Sequence, residues 1–201
     1  MTIRSHLMLL AIGAVLPVFA FAIVVSTVLA NQDRNTVERA AIERARAMMT
    51  AVDAELRGSI ATLLAVAAAP ALSSGDFRAF HDDAERVLAT QPAWLDLRLA
   101  KPSGETIVDA RESFAAAPRA YDPPSLQATA GTARLVVGNV DQPVASLPPG
   151  VPIRTPVIVD GRVAYVLTAI VRPDSFQDII RQQRLPDGWI SGIVDANGNF
   201  V

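Results

Sequence analysis

The chain has 201 residues, of which 51% are hydrophobic, and its 18 basic and 20 acidic side chains leave a net charge of −2. This composition excludes a disordered chain, and the lack of a basic run argues against a nucleic-acid partner. Because the chain has no cysteine and only two histidines, it offers no disulfide, no zinc–thiolate site and little for metal chemistry, so we expect no metal and no cofactor.

Residues 7–30 form an apolar segment with no charged side chain. A helix of this length spans the hydrocarbon core of a bilayer, which is about 30 Å thick. The segment is either a signal peptide cut after Ala30 or an uncleaved transmembrane helix, and its length and direct continuation into helical periodicity favour the second. Arg4 and His6 then place residues 1–6 in the cytoplasm and residues 31–201 outside the cell membrane.

Residues 31–69 are predicted to form one long helix, because apolar side chains recur there at steps of three and four. The first half of this stripe is rich in alanine and charge, which suits contact with another helix better than a domain core. We expect residues 31–60 to pair with a second copy in a homodimer, and the alternative is a solvated helix lying against its own domain. The stripe consists of Val37, Ala41, Ala45, Met48, Val52, Leu56, Ile60, Leu63 and Ala67.

A second helix follows Pro70, with Ser73 as its expected N-cap, and it ends before Pro92. We interpret His81 as a solvated residue of this helix. The period then changes to two, which predicts a hairpin from residue 94 to 109, and prolines make residues 111–131 a long loop with a short helix near 125–130.

Further strands are expected at residues 134–140, 151–159 and 162–171, the last pair joined by the tight turn Asp160–Gly161. The strand over 162–171 is apolar on both faces and should be central in its sheet. A helix follows from Pro173 to about residue 184. The segment 189–194 reads as a strand before a hairpin turn at residues 195–199, and because the chain stops in the next strand we expect it to be the front part of a longer protein.

Three segments carry a resemblance to a known family. They are the hairpin from Trp94 to Asp109 with its Pro-Ser-Gly-Glu turn, the run PVIVDGRVAYVLTAIV over 156–171, and the junction RQQRLPDGWISGIVDANGNFV over 181–201. Together they resemble the double Cache extracytoplasmic sensor domain of bacterial transmembrane receptors, most closely the N-terminal part of a sensor histidine kinase. The resemblance implies an α+β fold in which helices flank a PAS-like, five-stranded antiparallel sheet. It places the membrane-distal module at 70–185 and the start of a truncated membrane-proximal module at 186–201.

This resemblance implies that the chain senses a ligand as part of a receptor. The residues themselves give little support to catalytic functions. The chain contains no phosphate-binding glycine loop, nucleophile elbow or catalytic triad, so any kinase activity belongs to a part of the protein absent here. The alternatives are a chemoreceptor or diguanylate cyclase with the same sensor, and an anchored or secreted binding protein without output. Amino-acid-binding members carry Arg-x-Trp-Tyr in the long loop, whereas residues 119–122 read Arg-Ala-Tyr-Asp, so that motif gives no support for an amino-acid ligand.

A small-molecule pocket needs an apolar lining with a few directed polar groups. Two arginines with the geometry to grip a carboxylate suggest a small anionic ligand between the sheet and the 111–131 loop. The alternative interpretation puts Arg98 on a solvated sheet face and Trp94 and Tyr165 in the core. The candidate ligand-binding residues are Trp94, Arg98, Arg119, Tyr121, Tyr165 and Thr168.

Overall fold

A computed structural model describes residues 21, 38–114, 123–142, 147–182, 188 and 190–201 of the chain. The chain divides into two compact units, Met1–Met49 and Thr50–Val201. In the first unit, residues 38–49 are helical. Within the described residues no helix has the length and apolarity needed to cross a bilayer. The predicted span at 7–30 falls, except for residue 21, outside the described part of the chain.

The second unit holds five helices and five strands in the described residues. Helix α1 covers residues 50–67 of this unit. It is followed by α2 (Pro70–Ser74), α3 (Phe77–Thr90), β1 (Trp94–Ala100), β2 (Thr106–Asp109), α4 (Pro124–Thr132), β3 (Val136–Val137), β4 (Val151–Val159), β5 (Arg162–Val171) and α5 (Pro173–Gln182).

The five strands form one antiparallel sheet in the order β2-β1-β5-β4-β3. The predicted five-stranded antiparallel sheet with a central β5 is therefore confirmed. Residues 166–171 of β5 are all buried, so both faces of its second half are covered. Asp160 and Gly161 both adopt positive φ in the turn between β4 and β5, as a tight hairpin requires.

One face of the sheet carries the main hydrophobic core. Leu97, Ile153 and Leu167 of three neighbouring strands are fully buried there, in one cluster with Leu63 of α1 and Phe80 of α3. Burying a leucine or phenylalanine side chain stabilises a fold by about 1.5–3 kcal/mol. We call this side of the sheet the helix face.

The opposite face is covered by α4. Leu126 of α4 packs against Ala100 of β1 and Val166 of β5 in a second, smaller cluster. The first residue of α4 is Pro124, whose fixed φ suits the start of a helix. This side of the sheet is where charged residues are buried.

Three sequence predictions about local structure are wrong. Ser73 does not cap α3, because Pro70 starts the separate helix α2 and the Asp76 carboxylate instead accepts from the Ala79 N–H at 3.0 Å. His81 is 5% exposed rather than solvated. The third strand is only two residues long, because the Gly138 N–H donates to the Pro152 carbonyl but Pro152 has no N–H to return.

Gly150 marks a close approach that leaves no room for a side chain. A Cβ at this position would overlap Ile170 Cγ2 and lie 3.0 Å from the Val171 carbonyl oxygen. By contrast, a Cβ on Gly58 of α1 would meet nothing within 4 Å.

These two glycines give a matched test of the packing. Gly150→Ala should lower the free energy of unfolding by about 1–3 kcal/mol, because the backbone of β5 cannot move aside. Gly58→Ala should raise it by about 0.5–1 kcal/mol, since alanine favours a helix interior. Chemical denaturation measures both, and a Gly150→Ala variant as stable as the wild type would contradict the packing described.

Candidate ligand-binding site

A row of polar residues crosses the sheet on the face covered by α4. Asp109 of β2 pairs with Arg98 of β1, Arg98 pairs with Thr168 of β5, and Thr168 pairs with Arg154 of β4. Directly paired residues project to the same side of an antiparallel sheet, and adjacent strands lie about 4.8 Å apart. The four side chains therefore share one face, and we call them the polar row.

Arg98 is held between two carboxylates of the chain itself. Its Nε lies 2.5 Å from Asp96 Oδ2 and 3.1 Å from Asp109 Oδ2. Burial raises the pKa of Asp96 to about 6, a shift that the Arg98 charge opposes and the Asp109 charge increases. With two acids on one guanidinium, this cluster carries net negative charge when both carboxylates are ionised.

Arg154 has a different environment. Its side chain is buried, with the residue only 2% exposed, and its Nη1 donates to Ser125 Oγ at 2.5 Å. Among the described residues its Nε has no hydrogen-bond acceptor and no carboxylate lies within 4.0 Å of the guanidinium. Burial lowers the pKa of Arg154 to about 10, against the more distant charge of Asp141, so the group stays cationic at neutral pH.

Helix α4 fixes the position of Ser125 beside this guanidinium. The Thr129 hydroxyl donates to the Ser125 carbonyl within the helix at 2.9 Å, and Leu126 anchors the helix on the sheet. On the other side, a Cβ at Gly138 would lie 2.8 Å from Ser125 Oγ and 3.1 Å from Arg154 Nη1. The backbone at Gly138 therefore packs tightly around the Nη1 end of Arg154.

Comparison with known proteins finds no matching family model and no matching curated protein. Solved structures do match. The extracellular domain named as that of the histidine kinase vpHK1S-Z8 has 16% identity and a TM-score of 0.53, covering 75% of this chain and 62% of that one. The ligand-binding domain of the Campylobacter jejuni chemoreceptor Tlp3, in complex with 4-methylisoleucine, has 13% identity and a TM-score of 0.52, covering 71% and 60%.

A domain of a sensory box/GGDEF family protein from Vibrio parahaemolyticus has 15% identity and a TM-score of 0.50, covering 69% of this chain and 60% of that one. This chain has the fold of extracellular sensor domains. It spans about three fifths of the length of the solved sensor domains that it matches. The expected likeness to the sensor domains of bacterial receptors is confirmed at the level of the fold.

The sensor fold brings together only two of the predicted ligand-binding residues. Arg98 and Thr168 lie side by side in the polar row, whereas Trp94 and Tyr165 lie on the helix face. Trp94 donates its indole N–H to Ser59 Oγ at 3.0 Å, and the Tyr165 ring meets the Phe77 ring edge-on. The other two candidates, Arg119 and Tyr121, lie outside the described residues.

The interpretation of Arg98 as a solvated residue is wrong, because its side chain is only 11% exposed. Sequence analysis also missed Asp96 and Arg154. In a hairpin with one buried face, Arg154 falls on the face expected to be in water. The burial of Arg154 could have been predicted from the strand that pairs with β4. Because β5 is apolar on both faces, both faces of the sheet must be covered.

One group of potential metal ligands lies elsewhere in the sensor fold. His81, Asp82 and Glu85 bring ligand atoms within 4.8 Å of one another on α3. However, the His81 Nε2 already lies 2.8 Å from the Glu112 carbonyl oxygen, and its ring packs edge-on against Phe114. A donor in this hydrogen bond has no lone pair for a metal at the same nitrogen, which leaves Nδ1 as the ring atom that could bind one. The hydrogen bond and the ring contact explain the position of His81 without a metal.

Replacing Asp96 with Asn should remove a pH dependence of stability. Because the pKa of Asp96 rises from 3.8 to about 6 on folding, the folded chain holds a proton that the unfolded chain releases between these values. The carboxyl thus favours folding most at low pH, and this contribution is lost as pH rises through about 6. The stability of the wild type relative to Asp96→Asn should fall by about 2–3 kcal/mol between pH 4 and pH 7.

The control is Asp53→Asn, since Asp53 is an exposed residue of α1. Its stability should follow the wild type in parallel across the same pH range. Parallel curves for the wild type and Asp96→Asn would show that burial does not hold the Asp96 proton.

Proposed function

We propose that this chain is the extracytoplasmic ligand-sensing region of a membrane-bound signal-transduction receptor, and that a small molecule binds at the polar row. The observation that carries the proposal is the burial of Asp96, Arg98 and Arg154 on one face of a small sheet. Buried ion pairs seldom repay their desolvation, so such a cluster adds little stability for its cost. Charged groups held out of water are typical of binding sites.

The solved neighbours support the same function. One of them is described as a ligand-binding domain with 4-methylisoleucine bound, and the others belong to proteins named as a histidine kinase and a GGDEF family protein. On this basis a small-molecule ligand is proposed here as well. We propose a two-component sensor histidine kinase whose catalytic part lies outside this chain, since the extracellular domain of a protein named as a histidine kinase is among the solved neighbours.

The proposed receptor is anchored in the inner membrane by residues 7–30, with residues 1–6 in the cytoplasm. In this arrangement residues 31–69 form the signalling helix, 70–185 the membrane-distal module and 186–201 the start of the membrane-proximal module. A chemoreceptor or a diguanylate cyclase with this sensor is the second candidate, since such proteins also appear among the solved neighbours. A binding protein without output is the third.

We also propose that the 31–60 segment pairs with a second copy. In the helical residues 38–49, Ile42 and Met49 are 45% and 66% exposed. They are seven residues apart and so lie on one helix face, and Ala45 of the predicted stripe lies between them at the spacing of three and four that a coiled-coil seam requires. Single cysteines at these two positions should crosslink in membranes, whereas a cysteine at the neighbouring Glu43 should not. Equal crosslinking at all three would contradict the pairing.

The sensing function is tested by ligand-induced stabilisation of the full chain in nanodiscs. A compound that binds at the polar row should raise the unfolding midpoint, because it binds the folded state alone. Thr168→Val should reduce the shift by removing a buried hydroxyl from the row. Thr155→Val is the matched control, since Thr155 is equally buried but pairs with Leu167 on the helix face. Equal shifts in the two variants would contradict binding at the polar row.

A further inference from the structure

Residues 138–141 contact both the polar row and the C-terminal residues 190–201, and we call them the connecting segment. Its first residue, Gly138, lies against Arg154 of the polar row and Ser125 beside it. A Cβ at Gly138 would lie 2.8 Å from Ser125 Oγ and 3.1 Å from Arg154 Nη1. Protein interiors are close-packed, so a movement of either side chain toward Gly138 must displace the connecting segment.

The last residue of the connecting segment is held against the centre of the sheet. Asp141 and Gly150 exchange two backbone hydrogen bonds, of 2.9 and 2.8 Å, and Gly150 packs on the backbone of β5. Burial lowers the pKa of Arg154, and the charge of Asp141 opposes that shift. Both ends of the segment are therefore fixed, and they set the position of Asn139 and Val140 between them.

Asn139 and Val140 bind the C-terminal residues of the chain. The Val140 N–H donates to Asp195 Oδ2 at 3.0 Å, and the Ala196 N–H donates to Asn139 Oδ1 at 3.1 Å. These two hydrogen bonds join parts of the chain that are 55 and 57 residues apart. They attach the turn after residue 194 to the connecting segment.

The two oxygens of Asp195 accept from different groups. Oδ1 accepts from the backbone N–H groups of Asn197 and Asn199, at 2.9 and 2.8 Å, within the turn itself. Oδ2 accepts from the Val140 N–H and from the Asn199 side chain, the latter at 3.0 Å. One carboxylate thus orders the turn and also attaches it to the connecting segment.

We propose that Asp195 couples residues 193–201 to the polar row, so that a rearrangement at the row changes how firmly the connecting segment holds them. This inference rests on the proposed sensing function and names the route by which the state of the site reaches the residues after α5. The hydrogen bond to Val140 is only partly buried and the one from Ala196 is exposed, so water can replace both. Contacts of this kind open locally while the core stays folded, which gives the coupling two states.

The attachment is tested by hydrogen–deuterium exchange on the full chain in nanodiscs. In Asp195→Asn the side-chain oxygen can still order the turn, but an NH2 group then faces the Val140 N–H. Exchange at Val140 and over residues 193–201 should become about tenfold faster, as expected for the loss of one hydrogen bond. Asn197→Ala is the matched control and should exchange as the wild type does, because Asn197 contacts Asp195 through its backbone N–H.

The link to the polar row is tested by Gly138→Ala, whose Cβ must displace the connecting segment. Exchange over residues 193–201 should become about fivefold faster, and Ser125→Ala in the same chain should partly reverse this by removing one of the overlapping atoms. Gly131→Ala on α4 is the matched control, since a Cβ there meets nothing within 4 Å. Unchanged exchange in β5 shows that the effect is local.

Coupling is reciprocal, so Asp195→Asn should also speed exchange of the Gly138 N–H, which donates to the Pro152 carbonyl. Unchanged exchange at Val140 in Asp195→Asn would overturn the proposal. It would also be overturned if Asp195→Asn affected residues 193–201 and left Gly138 unchanged, or if Ser125→Ala reversed nothing. None of these results bears on the sensing function, which is judged by the ligand-induced stabilisation described above.

Discussion

The central position of β5 determines how the rest of the second unit is arranged. Strands β1 and β4 pair with β5, and β2 and β3 pair in turn with these two at the sheet edges. Because the second half of β5 is buried on both sides, each face of the sheet needs its own cover. Helices α1 and α3 supply that cover on the helix face, and α4 supplies it on the other. The helix-face cover is made of large apolar side chains, whereas α4 is a short helix over a face that contains ions. The two faces therefore differ in composition, because one is apolar and the other holds buried charged side chains.

The two faces are connected through an irregularity in β1. The register of β1 against β5 shifts between Trp94, which pairs with Val171, and Asp96, which pairs with Ile170. This bulge turns Trp94 toward the helix face and Asp96 toward the polar row, although two residues apart in a regular strand would share a face. Since Trp94 donates to Ser59 of α1, a change at Asp96 is separated from α1 by one residue and one hydrogen bond.

Much of the fold could be predicted from periodicity, whereas the polar row could not. The limits of β4 and β5 follow from alternation and from the Asp160–Gly161 turn, and the central place of β5 follows from its two apolar faces. Arg154 and Asp96 were not predicted as site residues, because alternation places charged residues on a solvent-exposed face. Only the paired strands and α4 show that this face is covered. The burial of His81 was not predicted for a similar reason, since the Phe114 ring that packs against it belongs to a distant part of the sequence. The shortness of β3 depends on the tertiary pairing of Gly138 with Pro152, which no local pattern contains.

The central claim is that the face of β5 bearing Thr168 binds the ligand while the opposite face serves the core. The most direct measurement is a crystal structure of the chain with a stabilising ligand bound. The account predicts electron density for the ligand against Thr168, on the face of the sheet that α4 covers. Ligand density on the helix face beside Trp94 or Tyr165, or at a surface remote from β5, would contradict it.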